Sequence, residues 1–355
     1  MALRMDVAPQ PDLQHHSFQK DRSPFPDVAL ILCGSTPGPG RHPATSGALS
    51  WQTLSMVSPR PPTHVQQLRH PEVDPRIRWF RAGEEVDTFA VVTARFLIFV
   101  DTMATPALMR QVIEAVRPDV AGRTVLVLNT HADWDHVYGN RLFAPEGDLP
   151  GLLIGSEATR DRLRSAPALD RLRQQQAQDA RFADVTLVAP DLTFPERLTL
   201  HGGDLTLDVL PTPGHTPDHV SIWIPELSTV LAGDAAEHPF PQVRGGAQLA
   251  VTRASLERLQ ALQPRVVLPC HGGTTTPELL TRNLEHFEFL RAQLGQLSSP
   301  ADWLRRPLEA GELTGASYSQ ALARLGERPG SVPAFYQDFH TDALHATLED
   351  LAGLH

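Results

Sequence analysis

Four short segments of this 355-residue chain bring together side chains that bind metals. THADWDH (130–136) supplies His131, Asp133, Asp135 and His136, and later come Gly214-His215, Gly233-Asp234 and His271-Gly272. Each segment follows an apolar run of strand type, which would deliver its polar side chains to one edge of a sheet. Within HxDxDH the ligand-type residues crowd one short loop, so several can converge on one point. Imidazole nitrogen and carboxylate oxygen hold zinc at about 2.0–2.2 Å, and suit iron or manganese as the share of oxygen rises. These seven groups suffice for two divalent ions.

The surrounding text predicts the elements that must position them. RIRWFRA (76–82), DTFAVVTA (87–94) and FLIFVD (96–101) read as a strand followed by a hairpin, since β-branched and aromatic runs alternate with polar turns. Apolar residues at helical spacing over 103–116 end at Arg117-Pro118, which predicts a helix and its stop. TVLVLN (124–129) is a buried-strand run leading straight into the HxDxDH loop. Residues 156–180 are rich in helix formers and predict one or two helices interrupted near Pro167. Strands are expected at DVTLV (184–188), on both sides of the His201-Gly202-Gly203-Asp204 turn, and in VSIWIP, STVLAGD and RVVLPCHG. Helices are expected at 255–262 and 277–294. Strand-rich halves interleaved with helices point to an α/β fold, an αββα sandwich of two mixed β-sheets with helices on the outer faces.

THADWDH, PTPGHTPDH (211–219), LAGD (231–234) and LPCHGG (268–273), in that order, resemble the metallo-β-lactamase fold superfamily of metal-dependent hydrolases. The resemblance covers roughly residues 76–295. It implies two divalent metal ions, zinc first among them, with iron or manganese as alternatives. His131 and His215 would serve the first ion, Asp135, His136 and His271 the second, and Asp234 would bridge them. The family usually has HxHxDH, and Asp133 stands here in place of the middle histidine. An aspartate that ligates through oxygen would make the first site harder, as in diiron members that carry a glutamate there, whereas one too short to reach would weaken it. The implied reaction is hydrolysis of an ester, thioester, lactone or related substrate by metal-activated water, with Asp135 as the catalytic carboxylate that orients that water. The alternative is an iron-containing oxidoreductase of the same fold, of diiron or persulfide-oxidising type. A non-catalytic binding protein on the same scaffold is disfavoured by the nearly complete ligand set.

Other residues near the ligands receive plainer readings. His219, four residues after His215, is expected to hydrogen-bond a ligand rather than to be one. Cys270, before the last histidine, reads as a small buried packing residue. Trp134 and Tyr138 read as packing for the loop, Gly139-Asn140 as a turn, and His201 and His238 as solvated.

Composition narrows the rest. Lys plus Arg total 31 against 41 Asp plus Glu, for a net charge of -10, which disfavours nucleic acid as a partner. Lys20 is the single lysine, so Schiff-base lysines and phosphate-loop lysines are excluded from the body of the chain. There is no GxSxG elbow and no GxxxxGK[ST]. Two cysteines, Cys33 and Cys270, make no disulfide framework. With no 20-residue apolar run and no secretory-type start, the expectation is a cytoplasmic protein acting on a small molecule, with a homodimer as an option.

Residues 1–70, rich in proline, are expected to form a disordered extension, with VALILCG as one optional strand and Met56 as an alternative start. Residues 71–297 would form the metal-binding domain and 298–355 a helical appendage.

Overall fold

The computed structural model describes residues 61–354, so the expectations for VALILCG, Cys33, Met56 and most of the extension lie outside the described residues. Twelve strands form two mixed sheets among those residues. The first is β1 (Gln66–Leu68), β2 (Ile77–Ala82), β3 (Val86–Val92), β4 (Phe96–Val100), β5 (Thr124–Leu128), β6 (Leu152–Ser156) and β7 (Leu192–Phe194), paired in sequence order. The pairing is antiparallel as far as β4 and parallel beyond it. The second sheet runs β12 (Val266–Pro269), β11 (Thr229–Gly233), β10 (Val220–Ile224), β9 (Thr206–Pro211), β8 (Leu198–His201), with only β11 and β12 parallel.

The core lies between the two sheets. Phe89, Ile98 and Leu128 of the first meet Leu207, Val209, Ile222, Leu231 and Leu268 of the second. Successive side chains of a strand point to opposite faces. Leu231 therefore joins this layer, while its neighbours Val230 and Ala232 face a second apolar layer formed with helices. Every residue of β4 is apolar and all but Phe96 are buried, which is why a continuous apolar run was a good strand signal there.

Helices cover the outer faces. α1 (Pro106–Val116) starts at Thr105, whose hydroxyl accepts from Leu108 N, and has Pro106 in its first turn; both are established helix starts. α2 (Trp134–Val137) is a single turn inside the HxDxDH loop. α3 (Glu157–Leu163) and α4 (Ala166–Gln178) are separated at Ser165, which caps the second and places Pro167 in its first turn. α5 (Gly246–Ala261), α6 (Glu278–Leu294), α7 (Pro307–Thr314), α8 (Tyr318–Arg324) and α9 (Tyr336–Leu351) follow. Leu259, Phe287, Leu290, Ala343 and Leu344 share one buried layer, so α9 packs on α5 and α6.

Three expectations are corrected. Gln66–Leu68 lies inside the expected extension but pairs with β2, because the edge of that strand offers unpaired backbone groups. Residues 184–188 form no strand; Val185 is buried beside Phe182, and the Val188 carbonyl is taken by the Asn140 side chain instead of a ladder. The helix expected at 255–262 begins at Gly246, whose weak propensity and the β-branched Val251 and Thr252 concealed it.

Candidate metal centre

The carboxyl ends of β5, β9, β11 and β12 bring their loops to one edge of the sandwich. Gly233 ends β11 in a left-handed conformation (φ 57°), and its missing side chain admits His219. The seven predicted side chains meet there around one atom. Asp234 Oδ2 lies 3.5 Å from His131 Nε2, 3.2 Å from His136 Nε2, 3.5 Å from His215 Nε2 and 3.4 Å from His271 Nε2. On one side of it, Asp133 Oδ2 is 3.3 Å from His215 Nε2 and 3.8 Å from His131 Nε2. On the other, Asp135 Oδ2 is 3.4 Å from His271 Nε2 and 3.6 Å from His136 Nε2. Two groups of ligand atoms thus share the Asp234 carboxylate, and Asp133 belongs to the first.

These groups fit a pair of ions. A tetrahedral ion with ligands at about 2.0–2.2 Å spaces its ligand atoms about 3.3–3.6 Å apart, close to the separations observed. The buried His131 Nε2, His136 Nε2 and Asp234 Oδ1 have no hydrogen-bond partner among the described residues. Buried polar atoms are rarely left so, and unpaired lone pairs aimed at one point are what a cation satisfies.

A surrounding network sets the imidazole tautomers. Asp101, fully buried at the end of β4, accepts from Thr130 N at 2.8 Å and from Thr130 Oγ1 at 2.7 Å. Because the Thr130 hydroxyl donates to Asp101, it must accept from His131 Nδ1, 3.0 Å away, so the lone pair of His131 sits on Nε2. His136 Nδ1, 2.9 Å from Asp101 Oδ2, is fixed in the same sense. His219 is not among the groups facing the centre: its Nε2 accepts from Asp234 N at 2.9 Å and its Nδ1 meets Thr212 Oγ1 at 2.9 Å. It thereby fixes the backbone of Asp234, and burial keeps it neutral by pulling its pKa down to about 4.

Charge follows the same geometry. Burial opposes ionisation of His271, yet the nearby carboxylates, Asp234 first, carry its pKa up to about 10. Burial raises Asp135. Burial also works to raise Asp133 and Asp234, but the imidazoles around them hold both well below the usual carboxylate range.

The other singled-out residues fall outside the ligand groups. Cys270 is buried with Sγ 4.0 Å from Asp101 Oδ2, and burial pushes its thiol pKa up. Trp134 and Tyr138 pack edge-on against Phe182. Asn140, expected as a turn residue, is buried and bonds Thr102, Asn129 and the Val188 carbonyl. His238 is half-buried and pairs with Glu327 at 3.0 Å, while His201 is exposed at the end of β8.

Four functional neighbours escaped the sequence reading: Asp101, Arg162, Asp218 and Glu237. Arg162 lies 2.6 Å from Asp133 Oδ1 and also bonds Asp218 Oδ1; Asp218 Oδ2 in turn accepts from Ala132 N at 2.9 Å and Thr159 Oγ1 at 3.0 Å. A cavity of about 160 Å³ borders this side of the centre, lined by Asp133, Trp134, Tyr138, Arg162, Arg171 and Leu187 among others. Acidic residues after strands would have been the only textual signal, and they are too common to single out.

The sequence profile of the metallo-beta-lactamase superfamily matches residues 85–271, and the chain belongs to that superfamily. A metallo-beta-lactamase family protein from Thermus thermophilus superposes with a TM-score of 0.51 at 20% identity, over 82% of this chain and 92% of that one. It shares the fold. A metallo-beta-lactamase from Pontibacter korlensis aligns at 18% identity with a TM-score of 0.47, over 62% of this chain and 97% of that one. No curated protein matches the sequence. No helix among the described residues is long and apolar enough to cross a membrane.

Proposed function

We propose that the protein is a dinuclear metal-dependent hydrolase that cleaves a small-molecule ester, thioester or lactone. The observation that carries this reading is the convergence of four imidazole nitrogens on Asp234 Oδ2, flanked by Asp133 and Asp135. His131, Asp133 and His215 would hold one ion, Asp135, His136 and His271 the other, with Asp234 shared. Two divalent ions supply a water of lowered pKa and a Lewis acid for the carbonyl oxygen. Asp135 turns Oδ2 to the ligand group and has no hydrogen bond among the described residues, so its second oxygen is free to orient an attacking water and take its proton. Arg171, which has no ion pair among the described residues, lines the adjoining cavity and favours a substrate with an anionic or strongly polar end.

The carboxylate of Asp133 favours a second reading, an iron-containing oxidoreductase on the same residues, because oxygen ligands suit harder ions. A panel of chromogenic esters, thioesters and lactones, assayed on protein stripped of metal and then reloaded with zinc, manganese or iron, separates the two. Ester or thioester turnover that disappears on chelation and returns with metal supports the hydrolase. Undiminished turnover in exhaustively stripped protein refutes it, and stoichiometric native iron with oxygen consumption favours the second reading.

A further inference from the structure

Glu237 sits three residues beyond the bridging aspartate and is 1% exposed. Its backbone is clamped from α6, where Asn283 Oδ1 accepts from Glu237 N at 3.1 Å and Asn283 Nδ2 donates to Glu237 O at 2.8 Å. Its carboxylate is clamped from α9, where the fully buried Tyr336 donates its hydroxyl to Oε2 at 3.0 Å. The other oxygen, Oε1, is buried and has no partner among the described residues. One carboxylate oxygen of Glu237, one ring nitrogen of His215 and one oxygen of Asp234 lie within 4.8 Å of one another.

A carboxylate fixed at both ends, with a free buried oxygen and no ion pair among the described residues, lacks a positive partner. No arginine among the described residues bonds it, and Tyr336 offers a single donor. The missing partner is most simply the cation between His215 and Asp234, the groups it faces. A third carboxylate at this site would make its donors mostly oxygen, which suits a hard divalent ion better than zinc.

We propose that Glu237 is a further ligand of the first metal site, held in place by Tyr336 of α9, and that it makes this site select a hard divalent ion such as manganese over zinc. The inference rests on the dinuclear reading above and deepens it. The first site then gathers two imidazoles with the carboxylates of Asp133, Asp234 and Glu237, a set in which oxygen outnumbers nitrogen. Helix α9 becomes part of the metal centre, because its tyrosine fixes the direction of the added ligand.

The test is metal binding. Metal-free full-length wild type, Glu237→Gln and Tyr336→Phe are titrated with manganese and with zinc against a chromophoric chelator, with circular dichroism to establish folding. Wild type is expected to bind two ions. Glu237→Gln is expected to lose about tenfold in manganese affinity at one site and much less for zinc, and Tyr336→Phe to shift the preference the same way by a smaller factor. Equal or absent effects on the two metals overturn the inference while leaving the dinuclear reading intact; wild type that binds no metal overturns both. Should the variants fail to fold, a crystal structure of manganese-loaded wild type decides. A Glu237 oxygen within about 2.4 Å of the ion supports the assignment, and one beyond about 3 Å refutes it.

Discussion

Arg162 holds Asp133 by one oxygen and leaves the other to the metal centre: Nη2 lies 2.6 Å from Oδ1, while Oδ2 faces His215 Nε2 at 3.3 Å. The same guanidinium bonds Asp218, which is itself tied to the backbone of the HxDxDH loop at Ala132. The charge at position 133 is thus answered by a built partner. A histidine there, as the family usually has, would set Arg162 Nη2 against an imidazole and leave Asp218 as the only carboxylate paired with the guanidinium among the described residues.

Asp133→His alone is therefore expected to bind the first zinc ion about tenfold more weakly than wild type, although it restores the commoner HxHxDH pattern. Adding Arg162→Leu should recover part of that loss by removing the cation set against the imidazole, though it also takes from the buried Asp218 its guanidinium partner. Zinc titrations of the two variants check this coupling. A single variant that matches or exceeds wild type would show that Arg162 does not set the ligand type at 133.

Asp101→Asn keeps the shape of the side chain and destroys its logic. Asp101 accepts from Thr130 N and Oγ1 and faces His136 Nδ1. An amide presents a donor to one of these groups, which turns His136 to the tautomer with its proton on Nε2, aimed into the centre. Loss of about 10–100-fold in affinity for the second ion is expected, with little change in secondary structure. Competitive metal titration with circular dichroism reads both, and unchanged affinity would remove Asp101 from the tautomer argument.

The candidate ligands were legible in the text as a group because a metal centre needs particular donor types, and these stand in loops after strands at 124–128, 206–211, 229–233 and 266–269. The sandwich was legible for a related reason, since strands buried on both faces, such as β4, read as unbroken apolar runs. What supports the ligands was not. Arg162 lies in a helical stretch with many arginines, and only the fold places it beside Asp133, 29 residues away. Glu237 carried no signal of its own, and its partner Tyr336 is 99 residues distant. Residues 184–188 misled for the opposite reason: apolar alternation also suits an extended connection that buries Val185 without pairing.

Protonation should compete with metal, and the sign can be worked out. The His271 pKa is raised from 6.5 to about 10 in the folded, metal-free protein, so its contribution to stability is complete below 6.5 and lost as pH rises through about 10. Glu237, raised by burial from 4.5 to about 7, contributes in the same direction over a lower window. Asp133 and Asp234, held well below 3.8, contribute above that value and lose their effect in acid. Metal-free protein is thus expected to melt highest in mildly acid solution and progressively lower toward about pH 9, while the rise in Tm on adding metal grows over the same range because His271 must release its proton. Melts of stripped and loaded protein across that range test both. A metal-induced rise that is the same at about pH 6 and pH 9 would contradict the competition.

Gly233→Ala probes how the bridging carboxylate is placed. At φ 57° an added Cβ would lie 2.5 Å from His219 Nε2, the atom that accepts from Asp234 N. Two costs follow: backbone strain of about 1–3 kcal/mol, and displacement of the imidazole that fixes the backbone of Asp234. Gly122→Ala separates them, since Gly122 has a similar φ of 75° and nothing within 4 Å of the added atom. Both variants should lower Tm, but only Gly233→Ala should weaken both metal ions together, because Asp234 Oδ2 is common to His131 and His215 on one side and His136 and His271 on the other. Selective loss of a single ion in Gly233→Ala would mean that His219 steers something other than the shared carboxylate.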